Sequence, residues 1–289
     1  MLALAVLTAA ANVNGEPAAP CKDCAAWNET QKPFRIYGNT YYVGVRGLSS
    51  ILITSNGGHV IIDGGLAESA PKIAASVREL GFRMEDVKLI LNSHVHYDHA
   101  GGIAELQRLS GAQVAASPSS AKVLRAGHSG ADDPQFGGLR GIPPVAHVTV
   151  VNDGETLRVG PLQLTAHLTA GHTPGGTTWT WTSCEKERCL NLVYADSLQP
   201  VSAEGFLFTR NSAYPDALED FERSFRTLDA LPCDILLTPH PETSDLWRKL
   251  KNRDDGAGPG AFVDPTACHR LADAARERLR ERVVAERRG

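Results

Sequence analysis

The apolar run VKLIL, residues 87–91, breaks directly into NSHVHYDHAGG, residues 92–102. A strand written this way has no face left for water. It predicts a sheet covered on both sides, the arrangement of layered α/β folds. The segment that follows crowds His94, His96, Asp98 and His99 into six positions. Imidazoles and a carboxylate gathered at the end of a buried strand point to a metal site rather than to a polar surface turn.

The surrounding pattern supports layering. FRIYG, TYYVGV, SSILITS and GGHVIID, within residues 34–63, read as strands, and NGG at 56–58 is a hairpin turn signal. ESAPKIAASVRELG reads as a helix that Ser69 would cap, with Ile73, Val77 and Leu80 on one face and Gly81 at its end. Ile103, Leu106 and Leu109 suit a helix, AQVAAS a strand and PSSAKVLRAG another helix. Residues 128–144, rich in Gly, Pro and Asp, predict a long functional loop.

A second strand-rich half follows: AHVTVV, ETLRVG, LQLTAHL, TTWTWTS and LNLVYAD. Leu218, Phe221, Phe225 and Leu228 line one face of a helix, and DILLTPH is a further strand. The last helix is expected to start at Asp264 as N-cap and Pro265, with Leu271, Ala275, Leu279 and Val283 as its buried stripe. Strands and helices thus occur twice in similar order. The fold class predicted is α/β, a four-layer αββα sandwich of two mixed sheets flanked by helices. One domain is expected over residues 21–289.

Two later loops repeat the strand-then-histidine pattern. TAGHTPGG carries His172 after LQLTAHL, and LLTPHPE carries His240 between prolines. A core strand behind such a loop positions its ligand. His94, His96 and His172 are expected to hold one Zn2+, and Asp98, His99 and His240 a second. Three protein ligands per ion leave an open coordination position for water. The other histidines, His59, His128, His147, His167 and His269, fit surface or structural roles.

The segments SHVHYDHAGG, GHTPGG, YADSL and TPHP together resemble the metallo-β-lactamase superfamily, from about Tyr37 to the C-terminus. The detailed pattern has Asp98 beside His99, no cysteine ligand and Ser197 after Asp196. With YGNTYYVG, DPQF and WTW, it is similar to subclass B3, exported di-zinc enzymes. The resemblance implies the αββα fold and hydrolysis of the β-lactam amide of penicillins, cephalosporins and carbapenems by a metal-bridging hydroxide. It implies antibiotic resistance as the outcome. Asp98 is expected to orient the nucleophile, Ser197 to act in catalysis and substrate binding, and Gln135 and Phe136 to line the pocket. Asp63, closing VIID, is expected to hold the metal loop through backbone hydrogen bonds. Some relatives tie an N-terminal cysteine to one in the segment matching YYVGVRG, which has none here. Gln199 stands where relatives carry a small hydroxyl residue.

Two other readings compete. A di-metal thioesterase of the glyoxalase II type shares the motif and uses a bridging aspartate, a role for which Asp196 could be mistaken. A non-catalytic zinc protein would favour a closed, cysteine-rich ligand set, absent here.

The opening MLALAVLTAAANVNGEPAAP resembles the end of a secretory signal peptide without its basic start, so residues 1–20 are expected to be its remnant or disordered. Periplasmic or secreted localisation follows, and six cysteines fit an oxidising compartment. Cys184 and Cys189 would staple a hairpin tip, and Cys233 with Cys268 would pin the last helix. Cys21 and Cys24 leave a local disulfide or free thiols, since neither a second zinc half-site nor a following helix pattern is visible. A net charge of −4 without a basic cluster weighs against nucleic acid. No membrane insertion is expected; the expected partners are small-molecule β-lactam substrates, and the expected oligomeric state is a monomer.

Overall fold

The structure, a computed structural model, describes residues 21–288; the proposed signal remnant lies outside these. Two sheets face one another. The first contains β1 (Phe34–Tyr37), β2 (Thr40–Tyr42), β3 (Ile51–Ile53), β4 (His59–Ile62), β5 (Val87–Leu91), β6 (Gln113–Ala116) and β7 (Val148–Val150), in that spatial order. β1 to β4 pair antiparallel, and β4 to β7 parallel. The second contains β8 (Thr156–Val159), β9 (Leu162–Leu168), β10 (Thr177–Glu185), β11 (Arg188–Tyr194) and β12 (Ile235–Leu237). It is antiparallel except for the parallel β11–β12 pair.

Three apolar layers explain the strand sequences. Ile51, Ile53, Val60, Leu91, Leu164, Trp179, Leu192 and Tyr194 pack between the sheets. On the outer face of the first sheet, Leu52, Ile61 and Ile90 meet α2 (Ala70–Glu79), α4 (Ile103–Ser110) and α5 (Pro118–Ala126) through Ile73, Val77, Leu106 and Leu124. On the outer face of the second, Val193 and Leu236 meet α6 (Ala217–Ala230) and α8 (Ala267–Arg288) through Phe221, Phe225, Leu271 and Ala275. β5 is buried on both faces apart from Lys88, whose ammonium reaches the Glu85 carbonyl at 2.7 Å. The chain thus has the predicted four-layer sandwich.

Three local expectations change. Ser69 occupies the N-cap position of α2 but makes no capping bond. Its hydroxyl instead donates to Asn28 Oδ1 at 2.9 Å and accepts from the Leu66 amide at 3.1 Å, so a distant segment wins the group. α8 starts at Ala267 rather than Pro265. Asp264 accepts from the Thr266 amide and hydroxyl, and so caps a turn that precedes the helix. Cys24 opens a single helical turn, α1 (Cys24–Trp27), too short for periodicity to show in the sequence.

All six cysteines are paired: Cys21–Cys24, Cys184–Cys189 and Cys233–Cys268. The second staples the β10–β11 hairpin tip, where the two cysteines face one another in register. The third joins the approach to β12 to the start of α8. Among the described residues, no helix is long and apolar enough to cross a membrane.

Candidate metal centre

The site forms where strand ends of both sheets converge. β5 delivers residues 92–96, α3 (Tyr97–Ala100) carries Asp98 and His99, the β9–β10 loop carries His172, and the segment after β12 carries His240. Two stitches hold these loops together. The Thr177 amide donates to the Ser93 carbonyl at 2.8 Å, and Trp179 Nε1 donates to the Asn92 carbonyl at 3.0 Å. Behind them Asp63, with φ of +61°, accepts from the Ser93 amide (2.7 Å), the Ser93 hydroxyl (2.6 Å) and the Tyr194 hydroxyl (2.8 Å). Asp63 therefore braces the metal loop as the sequence suggests, with side-chain donors added to the backbone one.

His94, His96 and His172 each present a ligand atom within 4.8 Å of the others, and so do Asp98, His99 and His240. The rings of His94 and His99 link the two groups, with centroids 4.4 Å apart. All six side chains are buried except that of His240, which is partly open.

Hydrogen bonds on the outer side of the cluster set the rings. His94 Nδ1 lies 2.7 Å from Asp196 Oδ1, leaving Nε2 buried without a partner. His172 Nδ1 donates to the Gln199 carbonyl at 2.7 Å. His240 Nδ1 donates to the Gly47 carbonyl at 3.2 Å, and its Nε2 stands 3.3 Å from Asp98 Oδ2. His96 Nε2 lies 3.2 Å from Asp133 Oδ2. An unsatisfied, fully buried imidazole nitrogen is costly unless something binds it. Rings tied at one nitrogen and free at the other are the usual state of metal-ligating histidine. The donor set of imidazoles and one carboxylate fits zinc, and three protein donors in each group would leave one of its usual four positions open.

Burial and the neighbouring imidazoles hold His94 well below the ordinary histidine value, and the same causes bring His172 down to about 3. These rings remain neutral, as ligation requires. Burial alone would raise the Asp98 carboxyl, but His99 and His240 beside it hold it well below the usual carboxylate range. Burial pushes Asp196 well above that range. A nearby dication would offset this by favouring the ionised form.

Asp133 and Asp196 are site residues that sequence reasoning did not assign. Asp133 sits in the long loop and also accepts from the Gln135 amide at 2.8 Å, so its carboxylate ties loop and ligand together. Asp196 is held at the nitrogen of His94 opposite the unpartnered one, which separates it from a bridging position. A Cβ at Gly176 would overlap the Asp196 carboxylate and stand 2.5 Å from the Thr169 carbonyl, which accounts for glycine there. Gln199 meets the site through its main-chain carbonyl.

Of the expected substrate residues, Gln135 comes within 3.5 Å of His96 Nδ1, through its amide nitrogen. Phe136 is 37% exposed on the same loop. Ser197 is half-buried after β11, next to Asp196. Outside the site, His59 packs edge-on to Phe82, His167 meets the Thr180 hydroxyl at 3.0 Å, and His269 meets Asp229 at 3.1 Å. His128 and His147 are exposed on or near the long loop.

A family model described as the metallo-beta-lactamase superfamily matches residues 43–184. Among solved structures, the chain is similar to Rm3 metallo-beta-lactamase, with 58% identity and a TM-score of 0.91 over 93% of this chain and 100% of that one. It is similar to MEM-A1, a subclass B3 metallo-beta-lactamase isolated from a soil metagenome library, with 52% identity and a TM-score of 0.88 over 90% and 98% of the two chains. SMB-1, a metallo-beta-lactamase bound to 2-mercaptoethanesulfonate, follows with 45% identity and a TM-score of 0.86 over 90% and 99%.

Proposed function

Because the chain belongs to the metallo-β-lactamase superfamily, with subclass B3 enzymes among its relatives, we propose that its paired ligand groups hold two zinc ions in the service of β-lactam hydrolysis. The chain is a β-lactam hydrolase. The finer reading assigns His94, His96 and His172 to one zinc and Asp98, His99 and His240 to the other. The single observation that carries it is the convergence of these six side chains into two adjoining groups around an unpartnered buried nitrogen.

Zinc, when bound, supplies hydroxide at neutral pH and an electrophile for the lactam carbonyl. The protein's own contribution is arrangement. Asp98, flanked by His99 Nε2 at 3.1 Å and His240 Nε2 at 3.3 Å, stays ionised and offers an acceptor that orients the attacking water. Asp196, Asp133 and the carbonyls of Gln199 and Gly47 hold the four outer rings in place. Gln135 and Phe136 line the entrance from the long loop, and Ser197 reaches a substrate or solvent oxygen from the β11 side. Penicillins, cephalosporins and carbapenems are the expected substrates. All ligands come from one chain, which supports a functional monomer. Three disulfides support an exported protein of the periplasm or outside it. In this reading residues 21–289 act as one domain.

The test is turnover of nitrocefin, a penicillin and a carbapenem by zinc-supplemented protein, beside lactoylglutathione as the thioesterase control. Two zinc ions per chain are expected, with activity lost to a chelator and restored by zinc. 2-Mercaptoethanesulfonate, the compound seen on SMB-1, is expected to inhibit. Failure to cleave any lactam would sink this reading.

A further inference from the structure

The segment before the first sheet leans on the second ligand group. Cys21–Cys24 closes a loop that leads into α1, whose last residue is Trp27. The Trp27 ring packs on His240, with centroids 5.3 Å apart. Gly47 joins the two. Its amide donates to the Trp27 carbonyl at 2.9 Å, and its own carbonyl accepts from His240 Nδ1. A Cβ at Gly47 would stand 2.5 Å from the Trp27 ring, so the contact admits only glycine.

The segment is also tied down on its other sides. The Arg46 amide donates to the Glu29 carbonyl at 2.8 Å, Lys72 donates to the Asn28 carbonyl, and Ser69 donates to Asn28 Oδ1. Cys24 and Trp27 pack with Tyr97 against Val45, Leu48 and Leu66. Tyr97 directly precedes Asp98, and its hydroxyl reaches Cys21 Sγ at 3.5 Å. The segment thus touches His240 directly and, on its other side, Tyr97, the residue before Asp98. Among the described residues, only other histidine rings pack on His94 and His172, whose Nδ1 atoms meet Asp196 and the Gln199 carbonyl.

We propose that Trp27, carried on this disulfide-closed turn, is a positioning residue for His240 and sets metal affinity at the Asp98–His99–His240 position selectively. The ring blocks rotation of the imidazole away from the Gly47 carbonyl, which keeps Nε2 turned toward Asp98. Loss of an outer partner of a ligating histidine typically weakens metal binding about 10–100-fold.

The proposal rests on the two-metal reading, and the experiment separates the two. Zinc is titrated into metal-free wild type and W27A against a chromophoric chelator, with cobalt absorption as a second readout. Wild type is expected to bind two equivalents, and fewer would count against the two-metal reading itself. W27A is expected to keep the first equivalent at wild-type affinity and to lose about 10–100-fold at the second. A purely structural role would instead lower the stability of the metal-free protein and weaken both equivalents together. If W27A does not fold by circular dichroism, C21S/C24S carries the same measurement, and selective weakening of the second equivalent supports the proposal. Wild-type affinity for both equivalents in the folded variant overturns it.

Discussion

His94 Nδ1 and Asp196 Oδ1 meet at 2.7 Å although 102 residues separate them, and both side chains are fully buried. The contact turns the imidazole so that Nε2 faces the cluster. Asp196→Ala is expected to weaken the first zinc equivalent about 10–100-fold, and Asp196→Asn, which keeps an acceptor oxygen, by less. Chelator competition measures both. Equal affinity in D196A and wild type would show that packing alone orients the ring.

Asp133 performs two tasks with one carboxylate. Asp133→Ala is expected to cost about tenfold in affinity for the first zinc, through His96. It should also raise amide hydrogen exchange in residues 128–144, through loss of the Gln135 amide bond. Faster exchange with unchanged zinc affinity would reduce Asp133 to a loop anchor.

Glu286 docks the end of α8. Its carboxylate accepts from the Phe208 amide at 3.1 Å, the Thr209 amide and hydroxyl at 2.9 Å and Arg282 Nε at 2.6 Å. Burial works the other way, but these donors hold its carboxyl below the ordinary glutamate value. A carboxylate of lowered pKa stabilises the fold above its unfolded value, near 4.3, and that contribution disappears as pH falls through the folded value. Glu286→Gln is therefore expected to cost about 1–2 kcal/mol at pH 7 in urea unfolding, with the gap narrowing below pH 4.3. A gap independent of pH would mean that shape, not charge, holds the helix end.

Cys233–Cys268 spans 35 residues. In the chain-entropy account, removing a link over a loop of that size costs about 3–4 kcal/mol. C233S/C268S is expected to unfold at clearly lower urea, with lactam turnover retained under native conditions because neither cysteine touches the metal loops. An unchanged midpoint would contradict the pinning role of this bridge.

Much of this was legible in the residues because the fold repeats one device. VKLIL and DILLTPH carry buried strands, and LQLTAHL a half-buried one, into loops bearing histidine, and the first of these loops groups four candidate ligands at short spacing. Asp133 and Asp196 were not legible as ring partners. A lone loop carboxylate has no periodicity, and its meaning comes from an imidazole 37 or 102 residues away. Ser69 shows the same limit. Local spacing marked it as a helix cap, and Asn28, 41 residues distant, took its hydroxyl. α1 escaped notice because four residues cannot display a helical stripe.

The six proposed ligands are split between the sheets: His94, His96, Asp98 and His99 follow β5 of one, and His172 and His240 follow strands of the other. Neither half alone can close either trio. A chain with only one sheet formed is therefore chemically silent toward lactams, and metal uptake during refolding should report the moment the two halves come together.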